Sequence, residues 1–287
     1  MQTQSVIHSP GSRLWLPGGR RKGRIVRAAP SMVGNAVSPA ARRRGDEVTP
    51  VTIFGANLIM WLRADQFDGT TWTDQSSRGE HWTEATNPPS LVASNAAFNN
   101  KPTVSFGGTN EFLAPSTSFA SPASSEITLW GIWAVDNDPG TSLPATRGAP
   151  ISQWGSWSGG TTSNFYPFTN GTCYMGPGST GRKTLVDPVT SALDVMHLCK
   201  FISKAGEFTF AINGTQESTT GSNSFGWQTT NPYIGRDDLS TSDHYYQGDI
   251  SEIVMIDTAS PTAAQKTAFI NYVNARYDTS WATHTTV

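Results

Sequence analysis

The thirteen residues from Ile253 to Gln265, IVMIDTASPTAAQ, decide the fold: an apolar, strand-like run passes through a polar turn into a helix start. Ser260 is placed to cap the first free amides, and Pro261 suits the first helical position because its missing N–H would have had no partner there. Beyond them Phe269, Ile270, Val273 and Tyr277 fall on one side of a helix predicted over about 260–277. That stripe must pack on something, and the strand just before it is the nearest surface. The helix is therefore expected to cover part of a β-sandwich, or its edge, and to shield an otherwise unpaired strand.

Upstream, strand signals follow one another between Gly, Pro, Asn and Ser turns. In NLIMWLRAD (57–65), Leu58, Met60 and Leu62 share one face and Ile59 and Trp61 the other, the pattern of a strand covered on both sides. KPTVSF (101–106) and EITLWGIWAV (126–135) are rich in β-formers, with large residues at period two. DVMHLCKFIS, KAG and EFTFAING (194–214) read as a hairpin in which Phe208, Phe210 and Ile212 point one way and Thr209 and Ala211 the other, before an Asn213-Gly214 turn.

A chain of 287 residues could hold one large β-domain or two small ones; only 15% of it is charged, and the wealth of Gly, Ser, Thr, Asn and aromatic residues suits a sandwich with many turns. No apolar run approaches the ~20 residues that span a bilayer. Residues 1–30 lack the continuous apolar segment of a secretory signal, so the chain is expected to be neither membrane-anchored nor exported by that route. Cys173 and Cys199 are read as two reduced thiols, with one disulfide as the alternative, and no Cys/His cluster points to zinc.

Charge divides the chain. Residues 1–50 carry nine basic side chains (Arg13, Arg20, Arg21, Lys22, Arg24, Arg27, Arg42, Arg43, Arg44) against Asp46 and Glu47, a net of +7, which leaves −9 for the rest of a chain whose total is −2. SPGSRLWLPGGRRKGRIVRAAP (9–30) has too few apolar groups to offset the ~1–2 kcal/mol per residue that ordering its backbone costs. Residues 1–50 are thus expected to form an extended basic arm. It is read as a solvated tail, as an anchor on an acidic protein surface with Trp15 and Leu16 as apolar contacts, or as a nucleic-acid arm. The anchor is preferred over nucleic acid.

The order of six segments carries a family resemblance: MWLRAD (60–65), WTDQSSRG (72–79), NNKPTVSFGG (99–108), FTFAING (208–214), YIGRDD (233–238) and GDISEIVMIDTASPTAAQKTAFINYVNARY (248–277). Together they resemble the concanavalin A-like lectin/glucanase superfamily, and within it the laminin-G-like or pentraxin-like jelly rolls of phage virion and bacterial surface proteins. The resemblance covers about residues 52–280 and implies an all-β, two-sheet antiparallel jelly-roll sandwich over 51–287 with a C-terminal α-helix. Two positions depart from it. Arg63 stands where many relatives have Asp, and Gly107 where Phe-Asp-Gly is usual, so calcium-linked roles are not carried to these residues.

Glucan-cleaving members of that superfamily carry Glu-x-Asp-x-x-Glu on one strand, where alternate positions aim carboxylates into one cleft. Nothing here matches. In GDISE, Asp249 and Glu252 are three apart and are expected on opposite faces, with Glu252 in a salt bridge or a backbone hydrogen bond. The five histidines are scattered, and no nucleophile elbow, phosphate loop or dinucleotide fingerprint is present. No catalytic residue is assigned, and the chain is expected not to be an enzyme.

Binding has a better candidate in WQTTNPYIGRDDLSTSDHYYQ (227–247), which gathers Trp227, Tyr233, Tyr245 and Tyr246 with Arg236, Asp237, Asp238, Asp243 and His244. Aromatic faces stack on sugar C–H patches while charged groups bond hydroxyls, so these residue types suit a glycan. The alternative is that the aromatics fill the core and the acids form turns. No cofactor is expected, although Asp237, Asp238 and Asp243 offer the clustered oxygens a calcium ion takes. WGIW (130–133) and QWGSW (153–157) are two further aromatic pairs, each with at least one core member.

The function expected from these features is a bacteriophage virion protein, for decoration or in a fibre. Its lectin-like body would be displayed on the particle, held to other virion proteins by residues 1–50, with a host-surface glycan as ligand and a homo-oligomer as a compatible state. A bacterial surface protein that binds or cleaves glycans is the first alternative, and a coat protein with a genome-binding arm the second.

Overall fold

The computed structural model describes residues 47–84, 86–117, 119, 126–135, 195–204, 207–213, 232–237 and 244–282, with the backbone of strands 151–157, 162–169, 172–177, 183–186, 215–220 and 225–226. These belong to the compact unit Asp46–Val287. Every arm residue named above, from Arg13 to Arg44, lies outside the described residues.

A short helix, α1 (Pro50–Phe54), leads into β1 (Leu58–Phe67), β2 (Thr71–Asp74), β3 (Trp82–Thr83), β4 (Ser90–Asn95), β5 (Lys101–Gly107), β6 (Ala114–Pro115) and β7 (Ile127–Val135). Next come β8 (Ile151–Trp157), β9 (Thr162–Thr169), β10 (Thr172–Pro177), β11 (Lys183–Val186), β12 (His197–Lys204), β13 (Glu207–Ile212) and β14 (Thr215–Thr220). The chain closes with β15 (Phe225–Gly226), β16 (Tyr233–Ile234), β17 (Arg236–Asp237), β18 (His244–Tyr245), β19 (Gln247–Ile256) and α2 (Ala263–Tyr277). One sheet runs β14-β13-β12-β7-β19-β1-β2-β3-β6, with β5 on the first half of β19 and β4 on β5. The other runs β11-β10-β9-β8-β15, with β16 also on β8, and β17 and β18 pair apart. All described pairings of these strands are antiparallel, so the fold is the expected all-β sandwich with one C-terminal helix.

The strands of the hairpin read over 194–214 pair with each other, while the side chains of Phe208, Thr209 and Phe210 lie outside the described residues. Lys204 pairs with Glu207 and Ile212 with Thr215, and Asn213 takes the left-handed conformation (φ 48°) that a two-residue turn demands.

The larger sheet is covered on both faces because its central strands are apolar on both. Met60, Leu62, Trp133, Ile250, Ile253 and Met255 belong to one cluster, which Cys199, a buried thiol, joins. Leu58, Trp61, Trp130, Ile132 and Val254 belong to a second, with Phe269, Ile270, Tyr272, Val273 and Tyr277 of α2. The alternation expected in β1 holds only from Met60 onward. The register slips by one residue between Leu58 and Met60, so Ile59 joins Met60 in the first cluster while Leu58 turns to the helix side.

The helix differs from expectation in two ways. Its cap is Thr262, whose hydroxyl accepts from the Gln265 amide while the Gln265 side chain accepts from the Thr262 amide, so the start lies two residues beyond Ser260. And although it covers part of the sandwich as expected, the strand before it is not unpaired: β19 lies between β7 and β1, and Phe269 packs 4.6 Å from Trp130 with Phe54 stacked on the same indole at 5.3 Å. Each such ring pair adds about 0.5–1.5 kcal/mol beyond its burial. Trp130 and Trp133 are thus both core, one per face, and neither is a stacking platform. Gly131 is required beside them, since a Cβ there would lie 1.6 Å from the Trp133 ring.

Candidate functional site

The candidate site is built where β5 ends. The chain turns through Gly108, at φ +77°, and the Glu111 carboxylate holds the turn by accepting from the amides of Thr109 and Asn110, both at 3.2 Å. Leu113 and Ile234 then exchange backbone hydrogen bonds of 2.8 and 2.9 Å, which sets Phe112 beside Tyr233. Gly235 follows at φ +84°, where any Cβ would lie 2.4 Å from the Phe106 ring. Arg236 pairs with Tyr245 across β17 and β18.

The result is three half-buried rings around one guanidinium. The Arg236 carbon lies 5.2 Å from the Phe112 ring centre, 5.1 Å from Tyr233 and 5.9 Å from Tyr245. Phe112 and Tyr233 meet edge to face at 5.5 Å. Each cation–ring contact at a partly exposed site contributes about 0.5–1 kcal/mol, so the arginine is held in place by the rings it covers. The surface this makes combines apolar ring area with N–H and phenolic donors.

Of the residues named from sequence, the structure brings together Tyr233, Arg236 and Tyr245. Tyr246 is placed elsewhere: it is 1% exposed, packs 5.8 Å from Phe106, and its hydroxyl donates to the Ala134 carbonyl. Strand alternation sends Tyr245 outward and its neighbour into the core. Asp237 and His244 are described by backbone alone, and Trp227, Asp238 and Asp243 lie outside the described residues, as does the calcium reading built on these acids. Among the described residues no group of three or more His, Cys, Asp and Glu is placed to hold a metal ion. Phe112 was not foreseen. Its signal is the aromatic residue that follows a Gly-Gly turn at the end of a strand, visible only once Leu113 is known to pair with Ile234.

A second polar cluster lies under α2. The register of β19 against β7 slips between Ile250 and Glu252, so Asp249 opposes Ala134 and Glu252 opposes Ile132, two residues of the helix-side cluster. The expectation that Asp249 and Glu252 face opposite ways is thereby corrected: the bulge at Ser251 turns both toward the helix side. Glu252 is 1% exposed. Its Oε1 accepts from the Trp61 indole at 2.6 Å and the Tyr272 hydroxyl at 2.7 Å, and its Oε2 from the Tyr277 hydroxyl at 3.0 Å. Arg276 Nε lies 3.4 Å from Oε2, the salt bridge expected for this acid, and its guanidinium also reaches Asp65, which Arg63 binds. Burial pushes the Glu252 carboxyl above its ordinary range, against the pull of Arg276 and the three donors. Burial and the charge of Glu252 push both phenols up as well, so they remain neutral donors. Asp249 is taken by Asn95 at 2.8 Å and Thr103 at 3.2 Å. Glu252 thus clasps the helix to the sheet, while Asp249 ties β19 to Asn95 and to Thr103 of β5.

Above the clasp a recess of about 660 Å³ is lined by Lys101, Asn271, Tyr272 and Arg276 among others. Its one aromatic wall, Tyr272, is 7% exposed with its hydroxyl committed to Glu252. The recess therefore lacks the ring surface that the Arg236 cluster offers.

No family model matches the chain, and no curated protein does. Solved structures do. The body has the concanavalin A-like sandwich fold. A Trypanosoma rangeli sialidase in complex with sialic acid is similar over 77% of this chain at 12% identity with a TM-score of 0.53, and the match spans 33% of the sialidase's own length. Domain 4 of AbnA, a GH43 extracellular arabinanase from Geobacillus stearothermophilus, in complex with arabinotriose, is similar over 77% of this chain and 98% of that domain, at 12% identity and a TM-score of 0.51. These likenesses establish the fold. They also correct the expectation of a chain that is not an enzyme, because the proteins that contain a region of this fold include a sialidase and an arabinanase.

Proposed function

We propose that the body is a glycan-binding domain of a glycan-active protein, and that it binds sugar at the Phe112, Tyr233, Tyr245 and Arg236 cluster. The observation that carries this is the set of three half-buried rings around one guanidinium, 5.1 to 5.9 Å from it. Rings of this kind take the C–H face of a pyranose or furanose, and the guanidinium and phenols bond its hydroxyls. The fold shared with an arabinanase domain seen with arabinotriose supports the reading.

Calorimetry against neutral and acidic oligosaccharides tests it. Tyr245→Ala and Arg236→Ala are each expected to weaken binding about tenfold or more, the equivalent of ~1.4 kcal/mol, whereas Asn271→Ala in the recess leaves it unchanged. Wild-type protein that binds none of these sugars, or cluster variants that bind as wild type does, would sink the proposal.

A second reading rests on charge. The net +7 of residues 1–50 against −9 for the rest favours an arm that anchors the body to an acidic partner, and display on a phage particle is the setting we infer for it. Removal of residues 1–50 should abolish incorporation into the particle without altering sugar affinity; normal incorporation of the truncated chain would refute this setting.

A further inference from the structure

Among the described residues, Lys200 is a buried cation with no counter-charge beside it. It lies on β12 between Trp130 of β7 and Ala211 of β13, on the helix-covered side with Leu198, and is 1% exposed. Its Nζ is buried without a hydrogen-bond partner. An isolated buried ammonium is among the costliest groups a core can hold. The charged group acting on it is of like sign: Lys266, the fourth residue of α2, lines the same small cavity with Trp130 and Ile270. Lys266 and Ile270 sit one helical turn apart and so face the cavity together. The space open to the centre of a water-sized particle is about 10 Å³, room for one such particle.

We propose that this cavity is a binding site for a single inorganic anion of halide size, held between the ammonium groups of Lys200 and Lys266 beneath α2. One monovalent anion lies between two like charges and offsets the repulsion of both. The apolar walls given by Trp130 and Ile270 leave no room for a phosphate or a carboxylate with its substituents, so size selects chloride or bromide. Burial and the charge of Lys266 lower the Lys200 ammonium to about 8, and an anion beside it acts in the opposite direction.

The test is thermal unfolding of the full chain at neutral pH in sodium chloride and in sodium gluconate of equal ionic strength, since gluconate is too large to enter. The melting temperature is expected to rise by a few degrees more in chloride than in gluconate over roughly a hundredfold increase in salt, and to saturate. Lys200→Met removes that excess rise, and Lys266→Gln reduces it. Wild-type protein should also broaden the chlorine NMR line, and bromide should reverse the broadening; this measurement needs no variant. Coincident curves in the two salts, a chloride-specific rise that survives Lys200→Met, or a chlorine line that the protein leaves unbroadened would each overturn the proposal.

Discussion

Replacing Glu252 by Gln and by Leu separates what its charge does from what its acceptor atoms do. Three donors converge on the carboxylate, from Trp61, Tyr272 and Tyr277, and nothing but protein surrounds it. Leu removes the acceptors. A buried donor left without a partner costs about 1–3 kcal/mol, so the orphaned indole and hydroxyls put Glu252→Leu at ~4 kcal/mol, a large share of the ~5–15 kcal/mol that holds a domain folded. Gln is a different case. Its carbonyl can face Trp61 and Tyr272, and its amide then donates to the Tyr277 hydroxyl, which is free to turn its proton to Ser251, 2.9 Å away, while Ser251 donates to the Pro102 carbonyl. The three hydrogen-bonding partners stay satisfied, and Arg276, which loses its ion pair with Glu252, keeps Asp65 as counter-charge. What is lost is charge assistance, and what is relieved is the desolvation that pushes the carboxyl up. The two nearly cancel, so Glu252→Gln should cost about 1 kcal/mol or less at neutral pH.

The sign of the pH dependence follows from the same shift. A carboxyl raised on folding contributes stability below its unfolded value near 4.5 and loses that contribution as pH rises through the raised value, so the cost of Gln should shrink from acid to neutral pH. Urea unfolding followed by tryptophan fluorescence at several pH values measures both variants. Equal costs for Gln and Leu would show that the charge itself holds the helix, and a harmless Leu would show that the clasp holds nothing.

Three further outcomes follow. Thr262→Ala breaks the capping box of α2 and should lower stability by about 1 kcal/mol in thermal unfolding. Asp74→Asn should cost about 2 kcal/mol in urea, because the carboxylate accepts from the amides of Trp61, Ser76 and Glu80 and the Ser76 hydroxyl, and an amide nitrogen would face a donor on whichever side it took. In gluconate, wild-type stability should rise by about 3 kcal/mol between pH 8 and 10.5, where the unfolded chain still holds the proton that folded Lys200 has lost; Lys200→Met should show no such rise, and a parallel rise in the variant would refute it.

Local chemistry made much of the fold legible. The pairing of Ile212 with Thr215, the apolar faces of β1 from Met60 onward and the helix stripe of Phe269, Ile270, Val273 and Tyr277 depend on near neighbours, and each appears in the structure. The cap shifted because two polar residues compete for that role, and Thr262 alone has a Gln three residues on. The facing of Asp249 and Glu252 was not legible, because a bulge is created by the partner strand and leaves no mark in the bulged one. The site was half legible for a related reason. Tyr233, Arg236 and Tyr245 lie close together in sequence, but Phe112 reaches them through a pairing that spans over a hundred residues, and Tyr246 goes to the core through alternation that begins only at β18.

The bulge at Ser251 ties these features together. Without it Ile250 and Glu252, two apart on one strand, would share a face, and one of them would be in the wrong environment: the acid among Met60, Leu62 and Met255, or the isoleucine beneath the tyrosines of α2. The extra residue lets the first half of β19 pair with β5 while the second half pairs with β1, and keeps apolar side chains inward on both halves. The loop that carries Arg236 and Tyr245 feeds directly into that first half, so the position of the candidate glycan surface depends on the same register that buries the clasp. A helix held by buried polar bonds on one face supports the strands beneath it, and a supported strand end is what fixes three rings about a guanidinium.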